Sequence, residues 1–184
     1  ADSLRLVGNS AALLNVSPKD IDFDRLGGSV KLAKVLTVLP GTRWQDSFRY
    51  INDNIPKHIG HLPEGKIKLG FSTFGIDVST QQINRSALQV KSIIKALGHS
   101  VRVVPNVEHA LNSAQVLHNQ LTSSLGMELL LIRDGKSTIL AQTVAEQDID
   151  SYARRDHGRP MRDAKVGMLP PKLAQIIINL RSEE

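Results

Sequence analysis

The chain has 184 residues, 41% hydrophobic and 22% charged, with a net charge of +5; that is enough to bury a core in one large or two small domains. It has no cysteine, which removes disulfides, thiolate metal sites and thiol nucleophiles and fits a cytoplasmic protein. No apolar run approaches the ~20 residues of a membrane span, and the start, ADSLRLVGNS, has neither the basic head nor the apolar stretch of a signal peptide. The first residue is Ala rather than Met, so the sequence is expected to be a processed, trimmed or excised piece.

Residues 1–40 read as a small α+β unit. ALLNV is a short strand candidate. Ser17 and Pro18 suit the N-cap and first position of a helix, with Gly27 and Gly28 as its stop. SVKLAKVLTVL reads as a half-buried strand, broken by LPGT. In 43–55, Trp44, Phe48, Ile51 and Ile55 share one helical face. PKHIGHLPEGK then reads as a loop and a domain boundary. KIKLGFSTFG alternates as a strand. The helix STQQINRSALQVKSIIKALGHS follows, with Ile83, Ala87, Val90, Ile93, Ile94 and Leu97 as its apolar stripe and Gly98 closing it. VRVVP is a strand. LNSAQVLHNQLTSSLG is a helix capped by Asn112. MELLLIRDGKSTILAQTVAEQ is a hairpin turning at Asp134-Gly135. This alternation through 66–147 predicts a layered α/β domain.

DIDSYARRDHG reads as a polar helix, and 158–167 as the linker into a last helix that starts at a double proline. Leu173, Ile176, Ile177 and Leu180 on that helix fall at i, i+3, i+4 and i+7, a face expected to be buried. The fifteen residues 151–165 hold Arg154, Arg155, Arg159, Arg162 and Lys165 against Asp156 and Asp163, so +3 of the chain's +5 sits there.

No catalytic constellation emerges from spacing. A phosphate-binding GxxxxGK[ST] loop and a GxSxG nucleophile elbow are both missing. His58 and His61 are three apart but lie in a Gly/Pro-rich stretch with no second pair to complete a metal site. Asp148, Asp150 and Asp156 lie near cations, and helix-end charge pairing explains them more simply than acid–base chemistry.

Residues 102–180 carry a more specific signal. VRVVPN, LNSAQVLHNQL and the run from MELLLIRDGK through RRDHGRPMRDAKVGMLPPKLAQIIINL resemble the THUMP-containing RNA methyltransferases, the archaeal-type tRNA guanosine N2-methyltransferases and their bacterial relatives. RLGGSVKLAKVL resembles the ferredoxin-like segment that precedes THUMP in that family. The resemblance implies a ferredoxin-like N-terminal domain at 1–60, a THUMP RNA-binding domain at 61–157, and at 158–184 a linker plus the first helix of a truncated Rossmann-type methyltransferase domain. It also implies S-adenosylmethionine as cofactor of the full-length enzyme. The family's cofactor loop and its Asn/Asp-Pro-Pro-aromatic base motif do not occur here: MLPPK has Leu169 before the prolines and Lys172 after them. The chain is therefore expected to hold no catalytic, cofactor or metal residue of its own.

On this resemblance the function is tRNA binding for guanine-N2 methyl transfer, by capture of the acceptor end. The alternative is a free-standing adapter that serves a separate modifying enzyme; a THUMP enzyme of other chemistry, such as tRNA thiolation, needs a nucleotide loop and a cysteine that are not here. Phosphates are bound by cations and by helix N-terminal amides, so the helix after Asn112 supplies Asn112, Ser113, Gln115, His118 and Asn119 as candidates. Arg154, Arg155, Arg159 and Arg162 form a second set, since arginine grips phosphate bidentately. Arg85, Arg102 and Lys136 are further candidates. Aromatic residues are only 4%, so recognition by backbone and shape is expected over base stacking. A missing catalytic domain or a partner is expected to cover Leu173, Ile176, Ile177 and Leu180.

Overall fold

The computed structural model describes residues 4–9, 11–159 and 168–181. It is a mixed α+β structure. Seven strands form two sheets: β1 (Arg5–Val7) and β2 (Ala11–Leu13) are a small antiparallel pair, and β3 (Lys31–Pro40), β4 (Ile67–Phe74), β5 (Val101–Val103), β6 (Gly126–Asp134) and β7 (Ser137–Glu146) make a mixed sheet ordered β3-β7-β6-β4-β5. The helices are α1 (Trp44–Ile59), α2 (Thr80–Ala96), α3 (Ser113–His118), α4 (Ile149–His157) and α5 (Pro171–Arg181). β4 is parallel to β5 and β6, while β7 is antiparallel to both β6 and β3. β3 and β4 therefore point the same way. The helices that follow them, α1 and α2, both start at the carboxyl end of those strands.

Period-2 alternation sorts the sheet's two faces. Ile67, Leu69 and Phe71 of β4, with Leu129 and Leu131 of β6, point toward α1 and α2. Trp44, Phe48, Ile51, Ile55 and Ile59 of α1 and Ile83, Ala87, Val90 and Ile94 of α2 close that core. On the opposite face Val7 of the small hairpin packs on Leu130, Ile139 and Ala141. Arg5 also donates two hydrogen bonds to the Asp134 carboxylate, at 2.8 and 2.7 Å. Beside this patch Val104, Leu111, Val116 and Leu121 pack α3 and its flanking loops. Gly126 is required there: a Cβ would lie 2.1 Å from the Gln120 carbonyl oxygen.

Several boundaries differ from those read in the sequence. Ser17 and Pro18 do start a helical turn, but 18–20 and 23–25 are two short 3₁₀ turns instead of one helix. α1 continues through Pro56 to Ile59 because Ile59, one turn after Ile55, is fully buried; that burial outweighs the donor lost at proline. The 60–66 loop joins α1 to β4 within one core, and β3 and α1 belong to the same sheet and core as 67–146. The hairpin turn is Gly135-Lys136, since Asp134 pairs with Ser137. α3 spans six residues only. Leu97, the residue just past α2, is exposed.

α4 and α5 form a separate layer near the first 3₁₀ turns. Tyr152 donates to Gln175 Oε1 at 2.8 Å, and Lys172 to Gln147 Oε1 at 2.9 Å. Gln175 and Asn179 donate to the carbonyls of Asp24 and Arg25. Gly27 lets α5 come close: a Cβ there would meet Lys172 and Ile176 atoms at 3.0–3.1 Å. The face of α5 turned to the chain is thus Lys172, Gln175, Ile176 and Asn179. Of the expected apolar face, Ile176 is half-buried, while Leu173, Ile177 and Leu180 are exposed.

Candidate nucleic-acid interface

The carboxyl end of β7 anchors both α3 and α4. Glu146, the last residue of β7, accepts from Ser113 Oγ at 2.6 Å, which pins the first residue of α3. Two residues on, Asp148 caps α4 by accepting from Ser151 N at 2.9 Å. Lys31 at the start of β3 donates to Glu146 at 2.8 Å and to both oxygens of Glu128 at 3.0 and 3.1 Å. Glu128 has no exposed surface. Its oxygens also accept from Ser72 (2.6 Å) and Thr143 (2.5 Å), and Ser72 accepts from Leu111 N. One lysine thus serves two carboxylates in a network that ties β3, β4, β6 and β7 to α3. Burial pushes the Glu146 carboxyl above its ordinary value; hydrogen bonds from Lys31 and Ser113 oppose this, and the neighbouring Glu128 charge adds to it. The sequence reading missed this network. Its signal was a lone Glu inside the apolar run Met127–Ile132.

The candidates on α3 are largely occupied. Asn112 accepts from Gln115 N at 2.9 Å and Gln115 Oε1 accepts from Asn112 N at 3.1 Å, a reciprocal capping box. Gln115 also donates to the Pro105 carbonyl, and Asn119 to the Gln115 carbonyl. At this helix start the third amide is thus capped by Asn112, and the Asn112, Gln115 and Asn119 side chains are engaged within the chain. Val116 and Leu121 are the fully buried residues of its apolar side. His118 is exposed on the last turn.

α4 gathers the cations more effectively. It has no buried residue, and Arg154, Arg155 and His157 lie in its last turn. Arg154 is 3.6 Å from Asp148 with its side chain 72% exposed. The Arg155 guanidinium stands 5.4 Å from the Tyr152 ring centroid, a cation–π distance. Arg159 is committed to structure: it pairs with Asp156 at 2.8 Å, donates to the Leu169 carbonyl at 2.6 Å and is only 18% exposed. Arg162 lies outside the described residues. Arg102 on β5 and Lys136 in the hairpin turn are exposed at separate places on the sheet. His58, in the last turn of α1, lies 3.0 Å from Gln142 Oε1 through its Nε2.

Arg85 belongs elsewhere. It lines an open cleft of about 560 Å³ between α1 and α2, together with Arg49. A smaller cleft of about 110 Å³ lies between the second 3₁₀ turn and α4, beside Tyr152 and Arg155. Among the described residues no helix is long and apolar enough to cross a membrane. Comparison with protein-family models and with curated proteins gives no match to this chain.

Proposed function

We propose that the chain is the tRNA-binding portion of an S-adenosylmethionine-dependent tRNA (guanine-N2) methyltransferase, in a ferredoxin-like plus THUMP arrangement acting in the cytoplasm. The sequence resemblance over 102–180 supplies the family. The observation that carries RNA binding is α4: an uncovered helix with Arg154 and Arg155 exposed in its last turn, rooted beside α3 at the end of β7. Arg154 and Arg155 are assigned to phosphates, His118 to a sugar or base edge, and Arg159 to holding 159 against 169. The exposed Leu173, Ile177 and Leu180 of α5 suit a covering catalytic domain, or in the adapter alternative a partner protein. The methyl donor would supply its chemistry in that domain. The residues described here bind and position RNA.

The test is tRNA affinity as a function of salt for the wild-type chain and for Arg154→Gln/Arg155→Gln. Four neutralised phosphates would give a log–log slope of roughly −3 to −4, and the double variant should flatten it by roughly 1 to 2. A salt-insensitive interaction, or a double variant with unchanged slope, would contradict the assignment.

A further inference from the structure

Three loops meet at the amino ends of β4, β5 and β6. Residues 60–66 join α1 to β4, 97–100 join α2 to β5, and 119–125 join α3 to β6. Backbone bonds tie them together: Ile67 N donates to the Ser100 carbonyl and Lys68 N to the Leu125 carbonyl, both at 2.8 Å. Glu146 ends β7 at this same end of the sheet, because it pairs with Lys31, the first residue of β3, and β3 runs the same way as β4. α4 therefore leaves the sheet there too. In the order β7-β6-β4-β5, three strand spacings separate β7 from β5, about 15 Å.

This end is charged with one sign. Residues 57–68, 95–102 and 118–126 hold Lys57, Lys66, Lys68, Lys95 and Arg102 against Glu64 alone, a net +4 in a chain of +5. None of the five cations makes an ion pair among the described residues. The opposite end of the sheet is balanced. There Arg5 pairs with Asp134 at 2.7 Å, and Arg43 and Arg49 approach Asp46 at 3.6 and 3.9 Å. Helix ends account for part of the excess. α1 and α2 finish at the three loops, each terminus equivalent to about −0.5 charge, and Lys57 and Lys95 lie in their last turns. Lys66, Lys68 and Arg102 have no such duty.

Those three belong with α3 rather than with α1 and α2. Lys68 and Arg102 are register partners across the β4–β5 ladder. A Cβ on Gly70 would meet Leu111 and Leu121, so alternation puts Lys68, two residues earlier, on the α3 side. Val101 and Val103 pack toward α1 and α2, which sends Arg102 to the α3 side as well. Lys68 donates to Gln120, a neutral partner, so its charge is positioned without being cancelled. Gln120 holds a left-handed backbone, φ 53°, just past α3, where glycine is favoured. Exposed His118 precedes it by two residues. Unpaired cations spread over strand starts and loops suit an extended polyanion rather than a small molecule.

We propose that this end of the sheet is a second RNA-backbone surface, with Lys66 and Arg102 on two phosphates of the RNA that α4 grips and Lys68 as a third charge between them. The inference rests on the RNA reading of α4 and completes its count. Arg154 and Arg155 meet two of the four phosphates. Lys66 and Arg102, which have no side-chain partner among the described residues, meet the other two.

The experiment uses the full 184-residue chain and a tRNA transcript. Affinity is followed against salt for the wild type, Lys66→Gln/Arg102→Gln, Arg154→Gln/Arg155→Gln and the quadruple variant, with melting temperatures of each. Lys19→Gln/Lys34→Gln, two exposed lysines elsewhere, is the control of equal charge change. Lys66→Gln/Arg102→Gln should weaken binding about tenfold or more at about 0.1 M salt and flatten the log–log slope by roughly 1 to 2, with the melting temperature unchanged. The quadruple variant should lose nearly all the slope, and the control should keep it. A wild-type slope in Lys66→Gln/Arg102→Gln, or an equal loss in the control, would overturn the proposal. A loss in Lys66→Gln/Arg102→Gln with none in Arg154→Gln/Arg155→Gln would uphold this surface and refute the one on α4. A wild-type chain that ignores tRNA but binds phosphatidylserine vesicles through Lys66 and Arg102 would make the partner a membrane and overturn both.

Discussion

The two helical layers of this protein are held by different forces. α1 and α2 drive nine apolar side chains into one core with β4 and β6. α4 and α5 are joined to each other by the Tyr152–Gln175 hydrogen bond, and among the described residues α5 meets the rest of the chain through Lys172 to Gln147 and Gln175 and Asn179 to the Asp24 and Arg25 carbonyls, with half-buried Ile176 against Gly27. Buried apolar area contributes roughly 25 cal/mol per Å², whereas an exposed hydrogen bond adds about 1 kcal/mol or less. The first layer should therefore open only with the whole fold, and the second should open locally at far lower cost. The same contrast separates their chemistry. The rigid layer presents a shaped cleft, and the lightly held layer presents exposed arginines beside an uncovered apolar helix face.

The sharpest break between the layers comes from paired truncations. Phe71→Ala removes a fully buried ring beneath α1 and α2 and should cost about 3–5 kcal/mol in global unfolding. Gln175→Ala with Asn179→Ala should change global stability by less than about 1 kcal/mol while speeding amide exchange in α5 several-fold. Denaturant melts and native-state exchange on both variants decide this. Equal global losses would mean that α5 is part of the core after all.

A smaller effect comes from pH. Glu146 has its carboxyl raised above the ordinary 4.5, chiefly by burial, so folding takes up a proton there. Its contribution to stability is full below the unfolded value and is lost as pH rises through the raised folded value. Asp134 has the opposite sign. Its hydrogen bonds from Arg5 hold it below the ordinary 3.8, so its contribution exists above that value and is lost as pH falls. Melting temperature against pH for the wild-type chain and Glu146→Gln should show the decline above pH 4.5 removed in the variant; an unchanged profile would refute the assignment.

The strong periodic segments were legible from sequence. α2, β4, and the β6–β7 pair follow their apolar patterns within a few residues, since each pattern coincides with a face that is buried. What stayed hidden depended on tertiary partners. Pro56 marked a helix end in the sequence, yet Ile59 is buried beyond it. The Leu173, Ile177 and Leu180 stripe is real, but α5 turns Lys172, Gln175 and Asn179 to the chain instead. Asn112 was correctly read as a cap, and that role, with Gln115 closing the box, engages side chains that had been read as RNA contacts. Lys31, Glu128 and Glu146 are 97 and 18 residues apart along the chain, and only strand order brings them together. The α1–α2 cleft was equally invisible, because Arg49 and Arg85 line it only once α1 and α2 pack side by side.

The most direct test of RNA capture by the lightly held layer is amide hydrogen exchange with and without tRNA. Residues 149–157 of α4 should exchange quickly in the free chain and gain at least several-fold protection when tRNA is saturating, with α1 residues 55–59 unchanged. Saturating tRNA that leaves α4 exchange untouched would contradict the account.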